Sequence, residues 1–305
     1  MSIKKPLLVV VAGPTASGKT AAAISLAKHY QTSILSADSR QCFREMTIGV
    51  AKPTVDELAQ VPHYFINSHS ITDHIDAAGY ESYGLNILRD LFSHANIVIL
   101  VGGTGLYIKA LCEGIDSMPP INELIRAEVR NMYEQHGLKG IGERLEMEDP
   151  LFASTGEMKN PQRVMRALEV VLQTGKSIRT FQQRQSEGRF FNTIFLGMDV
   201  PRETLHQRIN TRVDDMMKAG LLHEVKSLLP YRNLNALQTV GYKELFDHFD
   251  GRLSLDEAVD QIKIHTRQYA KRQMTWFRKV EGINWFSPTD IQSMISCIDA
   301  GSLNP

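Results

Sequence analysis

The sequence predicts an α/β fold, with a parallel sheet flanked by helices and a helical insertion in the middle of the chain. Three observations predict it. Short, β-branched apolar runs recur along the chain, and each stops at a glycine-rich or polar turn. Helix-forming stretches alternate with these runs, the pattern of layered α/β architecture. From Asp116 to about Arg189 the strand-like runs cease and helical periodicity takes over.

Leu7 to Ala12 is the first strand, apolar at every position, as a strand covered on both faces must be. An Ala-rich helix follows from Thr20 to His29, and Ser33 to Ala37 and Asn96 to Val101 read as further buried strands. Asp116-Ser117-Met118-Pro119-Pro120 marks the change of character. Thr193 to Val200 reads as one more strand, bounded by Pro201. The tail after Pro201 reads as helical. Ser254 and Glu257 have capping-box spacing and open a long helix from Leu255 to about Lys279. The expected organisation is a core over residues 1–117 and 193–305, with an insertion over 118–192.

Composition narrows the class. Hydrophobic residues are 43% and charged residues 22% of the 305, which excludes disordered, collagen-like and coiled-coil chains. A chain this long needs no metal or disulfide staple to fold. Cys42, Cys112 and Cys297 are too few and too scattered for a zinc set or a disulfide framework, and suit a reducing compartment. Lys plus Arg equals Asp plus Glu at 34 each, which excludes a uniformly basic coat but not a local basic face. No apolar run approaches the roughly 18 residues of a membrane span. The apolar start runs directly into Gly13, unlike a signal peptide, so a cytoplasmic protein is expected.

Gly13, Pro14, Thr15, Ala16, Ser17, Gly18, Lys19 and Thr20 match the phosphate-binding pattern G-x-x-x-x-G-K-[ST] between a strand and a helix. Glycines let backbone N–H groups curl around phosphate oxygens, and the helix points its positive end at the same place. Lys19 adds a point charge and the Thr20 hydroxyl suits Mg²⁺. The core is therefore expected to be P-loop NTPase-like, with a polyphosphate ligand. Asp38 follows a strand, at the sheet edge where such folds bind ligands. By position it is a metal-water ligand, a general base or a helix cap. Gly102-Gly103-Thr104-Gly105 forms a second glycine-rich turn at that edge, aiming Thr104 at the P-loop and Asp38. His63, His69 and His74 lack metal-ligand spacing and read as loop or packing residues.

Two basic regions stand out. Between Ile262 and Val280 there are six Lys or Arg and no carboxylate, interleaved with Tyr269, Trp276 and Phe277. Lys263, Arg267 and Lys271 recur every fourth residue, so they share a helix face. That face is either solvated or a phosphate contact. Arg163, Arg166, Arg179, Arg184 and Arg189 form a second cluster, and Arg208 and Arg212 make an i,i+4 pair. Two separate basic surfaces on a neutral protein fit a large polyanion.

Nearly end to end, the chain resembles the tRNA dimethylallyltransferases (tRNA isopentenyltransferases), in their bacterial form. The resemblance rests on the P-loop together with Ser36–Gln41, Ile48–Pro53, Val61-Pro62-His63, Gly102–Tyr107, Asn160–Val170, Gly241–Glu244 and Thr266–Gln273. Val50 departs from it, because the family usually has Thr before Ala-Lys-Pro. The resemblance implies transfer of a dimethylallyl group from dimethylallyl diphosphate to N6 of the adenosine 3′ to the anticodon. By matching position, Asp38 is the base, Gly13 to Thr20 with Arg212 bind diphosphate, and Thr104 lies at the substrate channel. Ser39, Arg40 and Gln41 contact the target nucleotide. Arg126, Gln162, Arg163, Val164, Met165, Arg166 and Arg267 contact tRNA, and a monomer is expected. An adenylate isopentenyltransferase, a small-molecule P-loop kinase and a non-catalytic nucleotide-binding module are the alternatives.

Overall fold

The computed structural model describes residues 5–154, 157–182 and 188–303. In chain order the elements of the first half are β1 (Leu7–Ala12), α1 (Lys19–His29), β2 (Ile34–Ala37), α2 (Val55–Gln60), β3 (His63–Tyr64), α3 (Ala77–Leu91), β4 (Ile97–Gly102) and α4 (Gly105–Glu113). Next come α5 (Glu123–Glu148), α6 (Pro150–Ala153) and α7 (Pro161–Thr174), then β5 (Asn192–Met198), α8 (Arg202–Lys218), α9 (Leu221–Ser227), α10 (Tyr242–Phe249), α11 (Leu255–Phe277), β6 (Ile283–Phe286) and α12 (Ile291–Leu303). The chain divides into one compact unit of Met1–Glu113 with Gly188–Pro305 and a second of Gly114–Glu187.

The first unit is built on a parallel six-stranded sheet in the order β3-β2-β4-β1-β5-β6. The continuous run Leu7–Ala12 sits at its centre with every residue buried. Its side chains alternate. Leu8, Val10 and Ala12 enter a core with Tyr80, Leu111, Tyr242 and Phe277, whereas Leu7, Val9 and Val11 enter another with Ala23, Leu26 and Ile298. Each such side chain contributes roughly 1.5–3 kcal/mol when fully buried, so two-sided coverage fixes the register. Two strands lay outside the sequence reading. The tail is not wholly helical, because Ile283–Phe286 adds an edge strand beside β5. At four residues it is too short to show a period, as is the two-residue β3.

Register decides where the site lies. Ala12 of β1 pairs with Gly102 of β4, and Gly102 pairs in turn with Ala37 of β2. Three neighbouring strands thus end level with one another, and Gly13, Gly103 and Asp38 leave the sheet side by side. Gly102 has no room for a side chain, since a Cβ there would lie 2.3 Å from the carbonyl oxygen of Ala37.

The second unit has its own core, in which Val129, Ile141 and Leu145 of α5 meet Val164, Ala167, Leu168 and Val171 of α7. α5 is two helices joined at Gly137, whose φ of +62° permits the kink. Asn160 caps α7, its side chain accepting from the N–H groups of Gln162 and Arg163. Residues 188–192, assigned to the insertion by the sequence reading, belong to the first unit. There Phe190 and Phe191 pack on Phe92, and the Arg189 guanidinium pairs with Glu81 and donates to the Ala110 carbonyl at 2.7 Å.

Replacing Gly102 by Ala is expected to lower stability by roughly 1–3 kcal/mol through overpacking between β4 and β2. Denaturant melts of the two proteins measure this, and an unchanged midpoint would refute the close approach.

Candidate active site

The P-loop has the backbone its sequence requires. Ala16 (φ +62°) and Gly18 (φ +90°) both lie in the left-handed region, and α1 begins at Lys19 with no side chain capping its first turn. A Cβ on Gly13 would meet the Ser17 hydroxyl at 2.9 Å and Met198 at 3.0 Å, so only glycine fits there. The Ser17 hydroxyl is buried without a hydrogen-bond partner among the described residues. Two cations serve the loop. The Lys19 ammonium folds back to donate to the Pro14 carbonyl at 3.2 Å, and Arg212 of α8 donates to the Thr15 hydroxyl at 3.5 Å. Burial pushes the Lys19 pKa down to about 8; the nearby Asp38 carboxylate works against that shift and Arg212 adds to it. Arg208, one turn earlier on α8, brings its guanidinium to 3.9 Å from where a Gly18 side chain would begin.

A cavity of about 1040 Å³ opens beside this loop, lined by Thr15, Lys19, Thr20, Asp38, Ser39, Arg40, Gln41 and Arg212, among others. Asp38 does not cap a helix. One carboxylate oxygen, Oδ1, accepts from the backbone N–H groups of Arg40 (2.9 Å) and Gln41 (3.2 Å), closing a turn. Among the described residues no group hydrogen bonds Oδ2. The carboxylate is therefore held in one orientation with an oxygen to spare. Thr104 stands behind it, its hydroxyl accepting from the Ser39 N–H at 3.1 Å and facing the Ser39 hydroxyl at 3.5 Å.

The side chains of Arg40 and Gln41 already have work. Arg40 donates to the Asn235 carbonyl at 2.9 Å, and the Gln41 amide donates to the carbonyls of Val50 (3.2 Å) and Ala51 (2.9 Å). The same loop is held from its other side by Glu224, whose carboxylate accepts from the N–H groups of Thr47, Ile48 and Gly49 and from the Tyr242 hydroxyl. Val50 packs against the larger core and lines the cavity. The loop is thus fixed without the hydroxyl that the family usually carries there.

One residue of the Thr266–Gln273 run to which the sequence assigned no role joins the site together. Gln273, buried on α11, accepts from the Thr15 N–H at 2.9 Å and donates to the Gly103 carbonyl at 2.9 Å. Its amide bridges the two glycine-rich turns, and a Cβ on Gly103 would lie 2.2 Å from it. Tyr269, one turn before, lines the cavity, and desolvation there, with the Asp38 carboxylate nearby, pushes its pKa up to about 12 although the residue is 37% exposed. Neither role has a spacing signature. The available signal was the place of both residues in the Thr266–Gln273 run.

Other expectations resolve differently. On the stripe, Lys263 pairs with Asp214 at 2.6 Å and Arg267 donates to Asn210 at 2.6 Å, so both pack against α8 instead of forming a free face. Only Lys271 of the three is exposed. In the second unit, Arg126 pairs with Glu123, Arg166 with Glu169, and both Arg163 and Arg179 with Glu157. Gln162 and Arg163 are exposed, but Val164 is fully buried and cannot present its side chain to a partner. Helical period sets this, since Val164 falls on the inner face with Ala167, Leu168 and Val171. Arg184 lies outside the described residues. His63 lines the cavity, its Nδ1 facing the Val61 carbonyl at 2.8 Å, and among the described residues no group of three or more His, Cys, Asp or Glu could hold a metal ion. Among those residues, too, no helix is long and apolar enough to cross a membrane.

Comparisons with known proteins place the chain as a whole. The family model for IPP transferase matches residues 41–280. The tRNA dimethylallyltransferase of Cytophaga hutchinsonii is 45% identical over 300 residues, covering 98% of this chain and 99% of its own. The tRNA dimethylallyltransferase 1 of Bacteroides thetaiotaomicron is 44% identical, covering 93% and 92%. Among solved structures, the full-length tRNA isopentenylpyrophosphate transferase of Bacillus halodurans superposes with a TM-score of 0.72 at 34% identity, covering 98% and 97%. A eukaryotic dimethylallyltransferase acting on tRNA gives 0.77 at 26%, covering 98% and 80%.

Gln273→Leu, which keeps the volume but strands the Thr15 N–H and the Gly103 carbonyl, is expected to cost about 1–3 kcal/mol. Hydrogen exchange at the Thr15 amide should accelerate accordingly. Unchanged protection of that amide would show that the bridge is dispensable.

Proposed function

Because the chain belongs to the IPP transferase family, we propose that it transfers a dimethylallyl group from dimethylallyl diphosphate to N6 of an adenosine in tRNA, the one 3′ to the anticodon. The observation that carries this reading is the level ending of β1, β4 and β2. It sets a phosphate cradle with Lys19 and Arg212 beside one oriented carboxylate, Asp38, on a single cavity.

The chemistry follows from those groups. The adenine N6 is a weak nucleophile because its lone pair is delocalised into the ring. As N6 attacks C1 of the dimethylallyl group, the Asp38 carboxylate takes the N6 proton, the N6–C1 bond forms and the C1–O bond to diphosphate breaks. The electron pair leaves on diphosphate, whose charge is met by the P-loop amides, Lys19 and Arg212. Gln273 and the Gly13–Thr20 backbone hold that cradle before substrate arrives, so little reorganisation is needed. Thr104 positions Ser39 next to the base.

A divalent cation fits the donor set present. Mg²⁺ keeps most of its waters and takes one or two protein oxygens plus phosphate oxygens, and the Thr20 hydroxyl faces the cavity and would hold it, leaving the free oxygen of Asp38 for the N6 proton. When bound, it neutralises charge on the leaving diphosphate. The adenine must leave its stack to reach Asp38. Ser39, Arg40 and Gln41 line the route, while Arg126, Gln162, Arg163, Met165, Arg166 and Arg267 are the remaining candidates for contact with tRNA. The arginines of this set exchange a protein partner for a phosphate. Val164 holds the helix that carries Gln162, Arg163, Met165 and Arg166 from within the second unit's core. The enzyme works as a monomer in the cytoplasm.

Asp38→Asn preserves the turn but removes basicity, so single-turnover transfer is expected to fall by roughly 10²–10⁴ with both substrates still bound. A rate near that of the parent would reject the base.

Lys19 sets a second expectation. Below about pH 8 the free protein carries the ammonium, and above it the charge is lost. Bound diphosphate favours the ammonium and raises its pKa. Affinity for dimethylallyl diphosphate should therefore be full below pH 8 and decline as pH rises through it, whereas Lys19→Met should give weak binding with a flat profile. Calorimetric titration across pH 6.5–9.5 checks this, and a flat profile in the parent protein would contradict it.

A further inference from the structure

α11 carries more than Gln273 on the side that meets the cavity. Tyr269, Arg272 and Trp276 recur at i, i+3 and i+7, so they share one face of the helix. Tyr269 and Arg272 line the cavity, and Trp276 lies one turn beyond, outside it. Trp276 is 39% exposed and Tyr269 37%, unusual for aromatic side chains in a chain of this size. The indole is nevertheless anchored. Gly105 packs so tightly against its pyrrole ring that a Cβ there would lie 2.3–2.6 Å from three ring atoms. Leu106, 50% exposed, follows Gly105. The Arg272 guanidinium sits 5.8 Å from the centre of the Tyr269 ring. Unlike Lys263, Arg272 has no ion-pair partner among the described residues, and no carboxylate occurs between Ile262 and Val280.

We infer that Trp276, with Arg272 and Tyr269, is a stacking platform for an unpaired nucleotide next to the one that enters the cavity. The inference rests on the RNA substrate of the proposed function and extends it to the site's surroundings. A base drawn out of its stack leaves its neighbour with one face uncovered. A fixed indole beside a free guanidinium supplies a π surface and a cation for that neighbour and its phosphate. Sequence preference at this position is expected to be low, because every base has a π face. An apolar peptide would leave Arg272 uncompensated, and an anionic lipid surface would not explain why the stripe begins inside the cavity.

Two measurements test this with the full-length protein and an anticodon stem-loop RNA. Trp285, the other tryptophan, lies under Gly197 in the sheet. In Trp285→Phe the remaining indole fluorescence therefore reports Trp276 alone, and RNA is expected to quench it while dimethylallyl diphosphate leaves it unchanged. Trp276→Leu is expected to raise KM for RNA by about 10- to 100-fold, with kcat and the KM for dimethylallyl diphosphate within about twofold, and Trp276→Phe to recover most of the loss. RNA that binds the Trp285→Phe protein without quenching, or an unchanged KM in a Trp276→Leu protein that melts like its parent, overturns the platform while leaving the proposed function intact. A parent protein that binds no RNA overturns both.

Discussion

A single side-chain amide decides the shape of the site. Gln273 reaches from α11 between two glycine turns, accepting from the Thr15 N–H of one and donating to the Gly103 carbonyl of the other. Both partners are backbone groups, and the Gly103 carbonyl would otherwise be buried without this hydrogen bond. The glycines around it are the counterpart of that bridge. Gly102 approaches the Ala37 carbonyl, Gly103 the Gln273 amide and Gly105 the Trp276 ring too closely for any side chain. α11 is thereby pinned to the strand ends, and the P-loop and the Gly103 turn are held together where the register of β1, β4 and β2 has already brought Asp38.

Charge is distributed by the same economy. The chain is neutral, and most of the arginines that looked like a basic surface are already paired. Arg163 and Arg179 meet Glu157, Arg166 meets Glu169, and Arg189 meets Glu81. The Arg189–Glu81 pair is largely buried, but the Arg163 side chain is exposed, and exposed pairs contribute little stability, about 0–1 kcal/mol, so in the proposed function an RNA phosphate would replace the Glu157 carboxylate at small cost. The cations without such partners are different. Lys19 and Arg212 are held over the P-loop, where burial keeps the Lys19 ammonium only weakly favoured. A diphosphate arriving there gains the full interaction with both.

Much of this was legible in the sequence, for physical reasons that differ by residue. The P-loop and β1 could be read because a phosphate cradle demands glycines at fixed spacing and a buried strand demands an unbroken apolar run. Asp38 could be placed at the sheet edge, but its role could not, since an Asp after a strand suits a cap as well as a base. The turn it closes with Arg40 and Gln41 removes the helix-cap reading, and does so only in three dimensions. Val164 was misread because a motif match gives no orientation; helical period, applied to Asn160–Val170, would have turned it inward. Gln273 closes the Thr266–Gln273 run, but its bridge could not be read from it, and neither could the role of Glu224, because each acts on backbone groups more than 150 residues away. The edge strand Ile283–Phe286 was too short to carry a pattern.

The central claim is that the cradle serves a leaving diphosphate and the carboxylate serves an RNA adenine. Incubating the protein with Mg²⁺ and dimethylallyl diphosphate labelled in the prenyl group, in the presence of anticodon stem-loop RNA, AMP and ATP together, tests it most directly. The account predicts label on adenosine N6 of the RNA, one diphosphate released per transfer, and intact ATP. Label on free AMP, or phosphate released from ATP with no labelled RNA, would contradict it.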